Sequence, residues 1–150
     1  MPVLIKNKKA YHEYKILESF EAGMVLNGQE VKSIKNRRMS LKGSYVKIRN
    51  GEAYLIGANI PAYQPKNAPP DYNSERSRKL LLKKSELKYL VGKTEQKGLT
   101  IVPLKVYTKG RYLKLEIGVA ERKKKKDKRE EKKRRDLERE QARELKQMGM

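Results

Sequence analysis

Apolar and polar residues alternate through much of the first 120 residues, and this alternation restricts the fold more than any other feature. In the clearest run, residues 112–120, every second position from 113 to 119 is Leu, Ile or Val. The positions between them include Tyr112, Lys114 and Glu116. A period of two is that of a half-buried β-strand. We therefore predict a strand with one core face and one basic, aromatic face.

Turn-forming residues connect this strand to the strand-like run before it. Residues 99–107 form that run, and Gly110 lies in the connection, where a tight turn needs positive φ. We expect the two runs to form a hairpin.

A second hairpin is predicted around Asn50-Gly51, which separates residues 44–49 from residues 52–56. Asn-Gly is the strongest short-range signal for a type I′ turn. Residues 13–26 and 29–35 predict one or two further strands, although residues 31–35 fit the start of a short helix equally well.

The helical signal lies in residues 76–91, where Leu80, Leu87 and Val91 follow helix spacing and Gly92 stands at the position of a C-terminal cap. One helix is expected there, with a break near Lys84 as the alternative. Four prolines between residues 61 and 75 predict a loop.

Many short strands without a βαβ rhythm are typical of an antiparallel barrel. The predicted fold is mainly β: a small antiparallel OB-like barrel, residues 1–120, with two or three short helices. Residues 121–150 form a separate basic tail in which the alternation stops. Little there can fill a core, and helix-favouring charge pairs contribute only about 0.2–0.5 kcal/mol each. We expect this tail to be disordered alone and helical when bound to a surface.

Charge indicates a polyanionic partner. Lys and Arg number 38 against 18 Asp and Glu, a net charge of +20, of which only +6 lies in residues 121–150. The barrel must therefore bind an anion itself. A membrane surface is disfavoured, because the tail has few bulky apolar residues opposite its lysines. The chain has no cysteine and no N-terminal apolar run, so it reads as cytoplasmic.

Few residues could support catalysis. His12 is the only histidine, and the sequence contains no nucleotide-binding loop or metal-ligand cluster. We expect no enzyme activity, no cofactor and no metal; a carboxylate-dependent nuclease is a weak alternative. Lysine and arginine neutralise phosphates and tyrosine stacks on unpaired bases, so nine tyrosines among basic residues favour nucleic acid.

Several longer motifs, in order, resemble small protein B, the family that binds transfer-messenger RNA in bacterial trans-translation. They lie between about residues 7 and 129 and are Asn7-x-Lys9-Ala10-x-His12-Glu13-Tyr14, Phe20-Glu21-Ala22-Gly23, Gly28-x-Glu30-Val31-Lys32-Ser33, Arg76-x-Arg78-Lys79-Leu80-Leu81-Leu82, Gly98-x-Thr100 and Pro103-Leu104.

The resemblance implies an OB-like barrel that binds the tRNA-like domain of transfer-messenger RNA and delivers this RNA to stalled ribosomes. It also implies indirect partnership with alanyl-tRNA synthetase and elongation factor Tu. We expect a monomer. The alternative is a general OB-type RNA-binding or ribosome-associated protein without preference for this RNA.

The family's RNA pocket corresponds to Glu21, Leu81 and Lys114. A carboxylate on such a face is tolerable where it accepts hydrogen bonds from bases or orients a basic neighbour; an ordinary surface ion pair is the alternative. Leu81 could equally belong to the core. Further candidate RNA contacts are Glu30, Lys32, Ser33, Arg37, Arg76, Arg78 and Lys79.

In the family, the segment after the barrel enters the empty mRNA channel near the decoding centre, against small-subunit rRNA. The corresponding residues here are Lys123, Lys124, Lys126, Asp127, Lys128 and Arg129. Arg122 replaces a glycine that relatives usually have, and Lys126 replaces their Tyr or His. Lys126 cannot π-stack, so the resemblance implies a mainly electrostatic role here.

Overall fold

A computed structural model describes residues 2–147. Seven strands and four helices follow one another along the chain, with a 3-10 turn at Pro65–Asn67. The strands are β1 Val3–Lys6, β2 Tyr14–Met24, β3 Tyr45–Arg49, β4 Glu52–Ile56, β5 Arg78–Leu81, β6 Leu99–Lys109 and β7 Tyr112–Arg122. The helices are α1 Lys8–Glu13, α2 Gly28–Lys35, α3 Lys84–Thr94 and α4 Lys125–Gln147.

The strands form one antiparallel sheet in the order β1-β6-β7-β2-β5-β4-β3. The sheet curls so that β3 comes back against β6. This architecture confirms the prediction of a mainly β, OB-like barrel with three short helices in its body. Buried aliphatic side chains from every strand and from α2 and α3 fill the interior, among them Ile5, Ala22, Ile34, Val46, Leu55, Leu80, Leu90, Val106 and Ile117.

Both predicted hairpins are present. Asn50 and Gly51 have φ of 51° and 75°, as a type I′ turn requires at both central positions. Gly110 has φ of 61° at the turn between β6 and β7. These two turns set the register of four strands.

The prediction of one helix over residues 76–91 is wrong in its first half. Residues 78–81 form β5, which pairs with β2 on one side and β4 on the other. Leu80 is buried and Leu81 exposed, so the side chains alternate as a strand requires. The helix begins only at Lys84 and continues past Gly92, which therefore lies inside it. Sheet pairing on both sides prevails over the helical spacing of the leucines.

Residues 29–35 belong to a helix, the second of the two predicted alternatives. The Asn27 side chain accepts from the Glu30 backbone N–H, and the Glu30 carboxylate accepts from the Asn27 N–H, both at 2.9 Å. This capping box satisfies two backbone donors at the start of α2.

Helix α1 covers part of the outer face of the sheet. Asn7 caps it by accepting from the Ala10 N–H and also donates to the Pro103 carbonyl at 2.9 Å. A second apolar cluster, separate from the barrel interior, forms beneath the helix; it includes Ala10, Val102, Leu104 and Ala120 with Tyr11, Tyr14 and Ile16.

Beyond β7, which ends two residues after the predicted domain boundary, the chain continues as α4. None of the residues Lys125–Gln147 is buried. That the tail is disordered when free remains a prediction. Among residues 2–147, no helix is long and apolar enough to cross a membrane.

Candidate nucleic-acid interface

The part of the outer sheet face that α1 leaves open carries all three pocket residues of the sequence prediction. Gly23 on β2 lies between Leu81 on β5 and Lys114 on β7, and it is paired with both. Side chains directly opposite one another in a sheet project from the same face. The structure therefore brings Leu81 and Lys114 to the two sides of a glycine.

Gly23 gives this row its shape. A Cβ added to it would lie 3.3 Å from the Leu81 Cβ, a tight contact, so a larger residue would displace the leucine. Leu81 is 53% exposed, whereas its neighbour Leu80 is 2% exposed. This resolves the open alternative: Leu81 projects to solvent and does not belong to the core. An exposed leucine beside a gap in a polar face offers apolar contact to a base or ribose.

Glu21 lies two residues from Gly23 on the same face and is fixed by two donors. One carboxylate oxygen accepts from the Tyr107 hydroxyl and the other from Lys109 Nζ at 3.2 Å. The Tyr107 bond, followed by the Lys109 bond and charge, lowers the pKa of Glu21. Glu21 is thus ionised near neutral pH. Its side chain is still 34% exposed, and a carboxylate has about four acceptor positions, so it can accept further hydrogen bonds from base N–H groups.

Tyr107 is the buried part of this arrangement. It is only 7% exposed. Burial first, and then its hydrogen bond to Glu21, raises the pKa of Tyr107. The phenol therefore stays protonated and keeps donating to the carboxylate. This bond fixes the direction of Glu21 and prevents it from turning away from the face.

Lys114 supplies positive charge beside an exposed aromatic ring. Its Nζ lies 5.7 Å from the centre of the Tyr112 ring, and Tyr112 is 66% exposed. A lysine that reaches a phosphate and a tyrosine on which a base can stack are the two usual elements of RNA contact. Together with Glu21 and Leu81 they form what we call the central patch.

Sequence reasoning did not identify Gly23, Tyr107 or Lys109, the residues that shape and support this patch. A signal for two of them was available: the turn at Gly110 places Lys109 opposite Tyr112 and Tyr107 opposite Lys114. No such local rule predicts the pairing of β2 with β5, so the role of Gly23 could not be read in advance.

Glu30, Ser33 and Arg78 do not lie on this face. All three are 0% exposed. The prediction that their side chains contact RNA is therefore wrong for this structure, because an enclosed side chain offers no surface to a ligand. Glu30 accepts from Arg78 Nε at 2.8 Å and also pairs with Arg76. Arg78 further donates to the Ala58 carbonyl at 2.7 Å. These residues join α2 to the sheet and to the loop before β5.

Burial raises the pKa of Glu30, but hydrogen bonds from Arg76, the Asn27 backbone N–H and Arg78 outweigh burial and lower it overall. Ser33 donates to the Pro61 carbonyl and holds the start of the proline-containing loop. The two-residue spacing of Arg76 and Arg78 resembles a basic surface motif, yet only Arg76, with a side chain 36% exposed, remains open to solvent.

The other predicted contacts lie outside the central patch. Lys32 on α2 has its Nζ 5.9 Å from the Tyr63 ring. Arg37, with φ of 61°, donates to the Val3 carbonyl at 2.9 Å. Lys79 is exposed on β5 and pairs with a carboxylate on β4. The structure brings none of these three to the Gly23 row, although Lys79 shares its face.

The tail begins with one well-fixed lysine. Lys123 Nζ donates to the Tyr11 carbonyl at 3.0 Å and pairs with Glu131 at 2.5 Å. The pKa of Glu131 is lowered, first by the hydrogen bond from Lys123. Asp127 accepts from the Lys124 N–H at 3.3 Å at the start of α4. The remaining predicted tail residues, Lys126, Lys128 and Arg129, lie on the first turns of the same helix.

An open cleft of about 510 Å³ lies between α1 and α4 and is predominantly basic. Its lining is Lys6, Lys8, Tyr11, His12, Glu131, Arg134, Arg135 and Glu138.

Known proteins resemble this chain over nearly its full length. The family model described as SmpB protein matches residues 4–147. A protein named SsrA-binding protein from Shouchella clausii is 50% identical over 147 residues, covering 97% of this chain and 92% of that protein. Another of the same name from Microcystis aeruginosa is 46% identical over 144 residues, covering 96% and 94%.

A solved structure described as "tmRNA-SmpB: a journey to the center of the bacterial ribosome" contains a chain that is 45% identical to this one. The two superpose with a TM-score of 0.68, over 83% of this chain and 87% of that chain. Matches over nearly the full length, in both sequence and structure, leave one assignment: this chain belongs to the SmpB protein family.

Proposed function

We propose that this chain binds the tRNA-like domain of transfer-messenger RNA and delivers that RNA to stalled ribosomes. The observation that carries the proposal is the central patch, where Leu81, Lys114 and the fixed carboxylate of Glu21 surround Gly23 on one open face. Relatives named SsrA-binding protein and a tmRNA–SmpB ribosome structure support it.

The chemistry of the patch suits a folded RNA with a few accessible bases. Lys114 neutralises phosphate, Tyr112 stacks on an unpaired base, and Glu21 accepts from base N–H groups that a phosphate-only surface would not need. A carboxylate repels phosphate, so its fixed presence in a chain of net charge +20 favours a ligand that presents donors at that point.

The tail carries the second half of the function. The part of residues 121–150 that follows β7 enters the mRNA channel left empty on a stalled ribosome and lies near the decoding centre, where Lys123, Lys124, Lys126, Lys128 and Arg129 contact small-subunit rRNA. Asp127 caps the helix that presents them. Lys126 contributes charge to this contact without aromatic stacking. Supporting this division, β7 ends at Arg122 and nothing in α4 is buried in the barrel.

In this role the protein is a cytoplasmic, monomeric adaptor without catalytic activity. Alanyl-tRNA synthetase charges the bound RNA and elongation factor Tu carries it, so both are indirect partners. The carboxylates described on the open face support the non-catalytic part of this proposal, because each of them is paired with a lysine: Glu21 with Lys109, Glu52 with Lys79 and Glu116 with Lys105.

Titration with matched RNAs tests the binding half. The full chain is titrated with the tRNA-like domain and with single-stranded RNA of equal length, at the same salt concentration. We expect much tighter binding of the tRNA-like domain. Equal affinities would contradict the adaptor function and favour the general RNA-binding alternative. Magnesium-dependent RNA cleavage lost on carboxylate substitution would favour the nuclease.

Deletion of residues 121–150 tests the delivery half. We expect the shortened protein to bind the tRNA-like domain as the parent does, but to give no tagging of the nascent chain on a stalled ribosome in a reconstituted translation system. Unimpaired tagging would contradict the two-part mechanism.

A further inference from the structure

A second carboxylate on the outer sheet face is held in the same way as Glu21. Glu52 on β4 accepts from the Tyr54 hydroxyl and pairs with Lys79 Nζ at 3.1 Å. Glu21 is likewise held by one tyrosine hydroxyl and one lysine. The side chains of Lys79 and Glu52 are 44% and 45% exposed, so this set is more open than the first. The pair holds Lys79 extended along the face.

Strand register places this second set next to the central patch. Tyr54 pairs with Lys47 on β3 and with Lys79 on β5, so the three side chains share one face. Lys79 and Leu81 lie two residues apart on β5 and project from that same face. The outer face is therefore continuous from β3 to β7.

The distance between the two sets follows from the strand order. From β4 the sheet continues through β5 and β2 to β7, three spacings of about 4.8 Å, or about 14 Å. One RNA strand covers such a distance with a few nucleotides. An RNA seated on the central patch would therefore pass over β4 and β5 if its backbone continued in that direction.

Charge on this part of the face matches a phosphate backbone. Lys47 and Arg49 are exposed on β3, and within residues 2–147 neither forms an ion pair. With Lys79 and Glu52 they give a local net charge of +2. An open cleft of about 270 Å³ lies beside Lys47 and Arg49, with Tyr54 also in its lining. We call Lys47, Arg49 and Lys79 the β3–β5 site.

We propose that the β3–β5 site is a second contact for the sugar–phosphate backbone of the same folded RNA that binds the central patch. It extends the RNA footprint across the sheet through phosphate contacts and makes no base contacts. The proposal rests on the proposed function for the identity of the RNA, but its phosphate contacts are measured independently of that identity.

The test uses the full chain and the double variant Lys47→Ala, Arg49→Ala. A matched control, Lys15→Ala with Lys97→Ala, removes the same charge. Lys15 pairs with Glu121 on β7, and Lys97 lies two residues before Leu99, which also pairs with Glu121. Glu121 is seven residues along β7 from Lys114, or about 23 Å at 3.3 Å per residue. Circular dichroism checks that each variant folds, as we expect for changes to exposed side chains.

Binding of the tRNA-like domain is measured by fluorescence anisotropy at several salt concentrations. Each lost phosphate contact reduces the slope of log affinity against log salt by about 0.7–0.9. We expect the β3 double variant to have a slope about 1.4–1.8 less steep than the parent, with weaker binding at low salt. The control should keep the parental slope. An unchanged slope in the β3 variant, or an equal change in the control, overturns the proposal.

Hydroxyl-radical footprinting separates the two sites on the RNA. We expect the β3 double variant to lose ribose protections at nucleotides different from those lost with Lys114→Ala. Loss at the same nucleotides would mean a single site and would overturn the proposal. Titration of the parent chain with single-stranded RNA of equal length tests the proposed function separately. Equal affinities for the two RNAs would contradict that function whatever the variants do.

Discussion

Substitution of Glu30 by alanine should be among the most destabilising single changes in the barrel. The Glu30 carboxylate is fully enclosed and accepts from Arg78 Nε at 2.8 Å, from Arg76 and from the Asn27 N–H. The substitution removes the counter-charge of Arg78, whose side chain is also fully enclosed. Arg78 keeps only the carbonyls of Ala58 and Ser74 as partners.

The expected loss follows from the cost of an unpaired buried charge. Breaking a buried ion pair by removing one partner typically costs about 3–5 kcal/mol. The substitution also removes the Glu30 half of the capping box at the start of α2. Domains of this kind have unfolding free energies of about 5–15 kcal/mol. Glu30→Ala therefore removes a large fraction of the total.

Urea unfolding at pH 7, followed by circular dichroism, measures this loss. Glu75→Ala is the matched control, because Glu75 is an exposed glutamate in the loop before β5. We expect the control to unfold like the parent and Glu30→Ala to lose about 3–5 kcal/mol, or roughly 6–20 °C in Tm at about 2–4 °C per kcal/mol. A loss below about 1 kcal/mol would refute the reasoning.

A double variant isolates the pair itself. If Glu30 and Arg78 interact as described, Glu30→Ala combined with Arg78→Ala should cost less than the sum of the two single changes, because the second removes the charge that the first leaves unpaired. Additive losses would show that the two residues act independently and that burial, not pairing, is the cause.

The pH dependence has a defined sign. The pKa of Glu30 is lowered from its ordinary value of 4.5, so its contribution is present above about that pH and is lost as the pH falls through the lower, folded-state pKa. Between neutral pH and pH values well below 4.5 the parent should lose this part of its stability, whereas Glu30→Ala should not. Parallel curves for the two proteins would contradict this assignment.

Three further predictions concern the interface and the tail. Glu21→Ala should weaken binding of the tRNA-like domain although it makes the protein more positive, because Tyr107 and Lys109 lose their common acceptor; tighter binding in an anisotropy titration would mark Glu21 as a merely repulsive charge. Gly23→Val should weaken RNA binding by displacing Leu81, whereas Gly28→Ala, which has open space around it, should not. An isolated peptide of residues 121–147 should have low helix content by circular dichroism, which rises on addition of ribosomes or trifluoroethanol; a stable free helix would contradict tail disorder.

The barrel was predictable where local rules determine structure. Asn50-Gly51 and Gly110 each specify a tight turn, and the alternation on either side then fixes which residues face the core. That logic placed Lys114 on the polar face of β7 correctly. Pairings between strands distant in sequence follow no such rule.

The errors arose where long-range contacts override local pattern. Residues 78–81 have leucines at helical spacing, yet they form a strand because β2 and β4 offer hydrogen-bonding edges on both sides. Arg78 is an arginine in a basic segment, and its enclosure depends on Glu30, which lies 48 residues earlier in the chain. A single sequence does not show that pairing, so Arg78 was predicted to lie on the surface.

The two functional ends of the molecule are separated along one strand. Lys114 lies near the start of β7, whereas Arg122 at its end pairs with Tyr14 and leads into the tail. Eight residues of strand at about 3.3 Å each put roughly 26 Å between them. An RNA bound at the central patch therefore need not cover the root of the tail, and α1 occupies the sheet face between them on the tail side. This separation is why removal of the tail should abolish delivery without weakening RNA binding. Deletion of residues 121–150 removes only the last two residues of β7, at the end far from Lys114, and leaves residues 112–120 and the central patch in place.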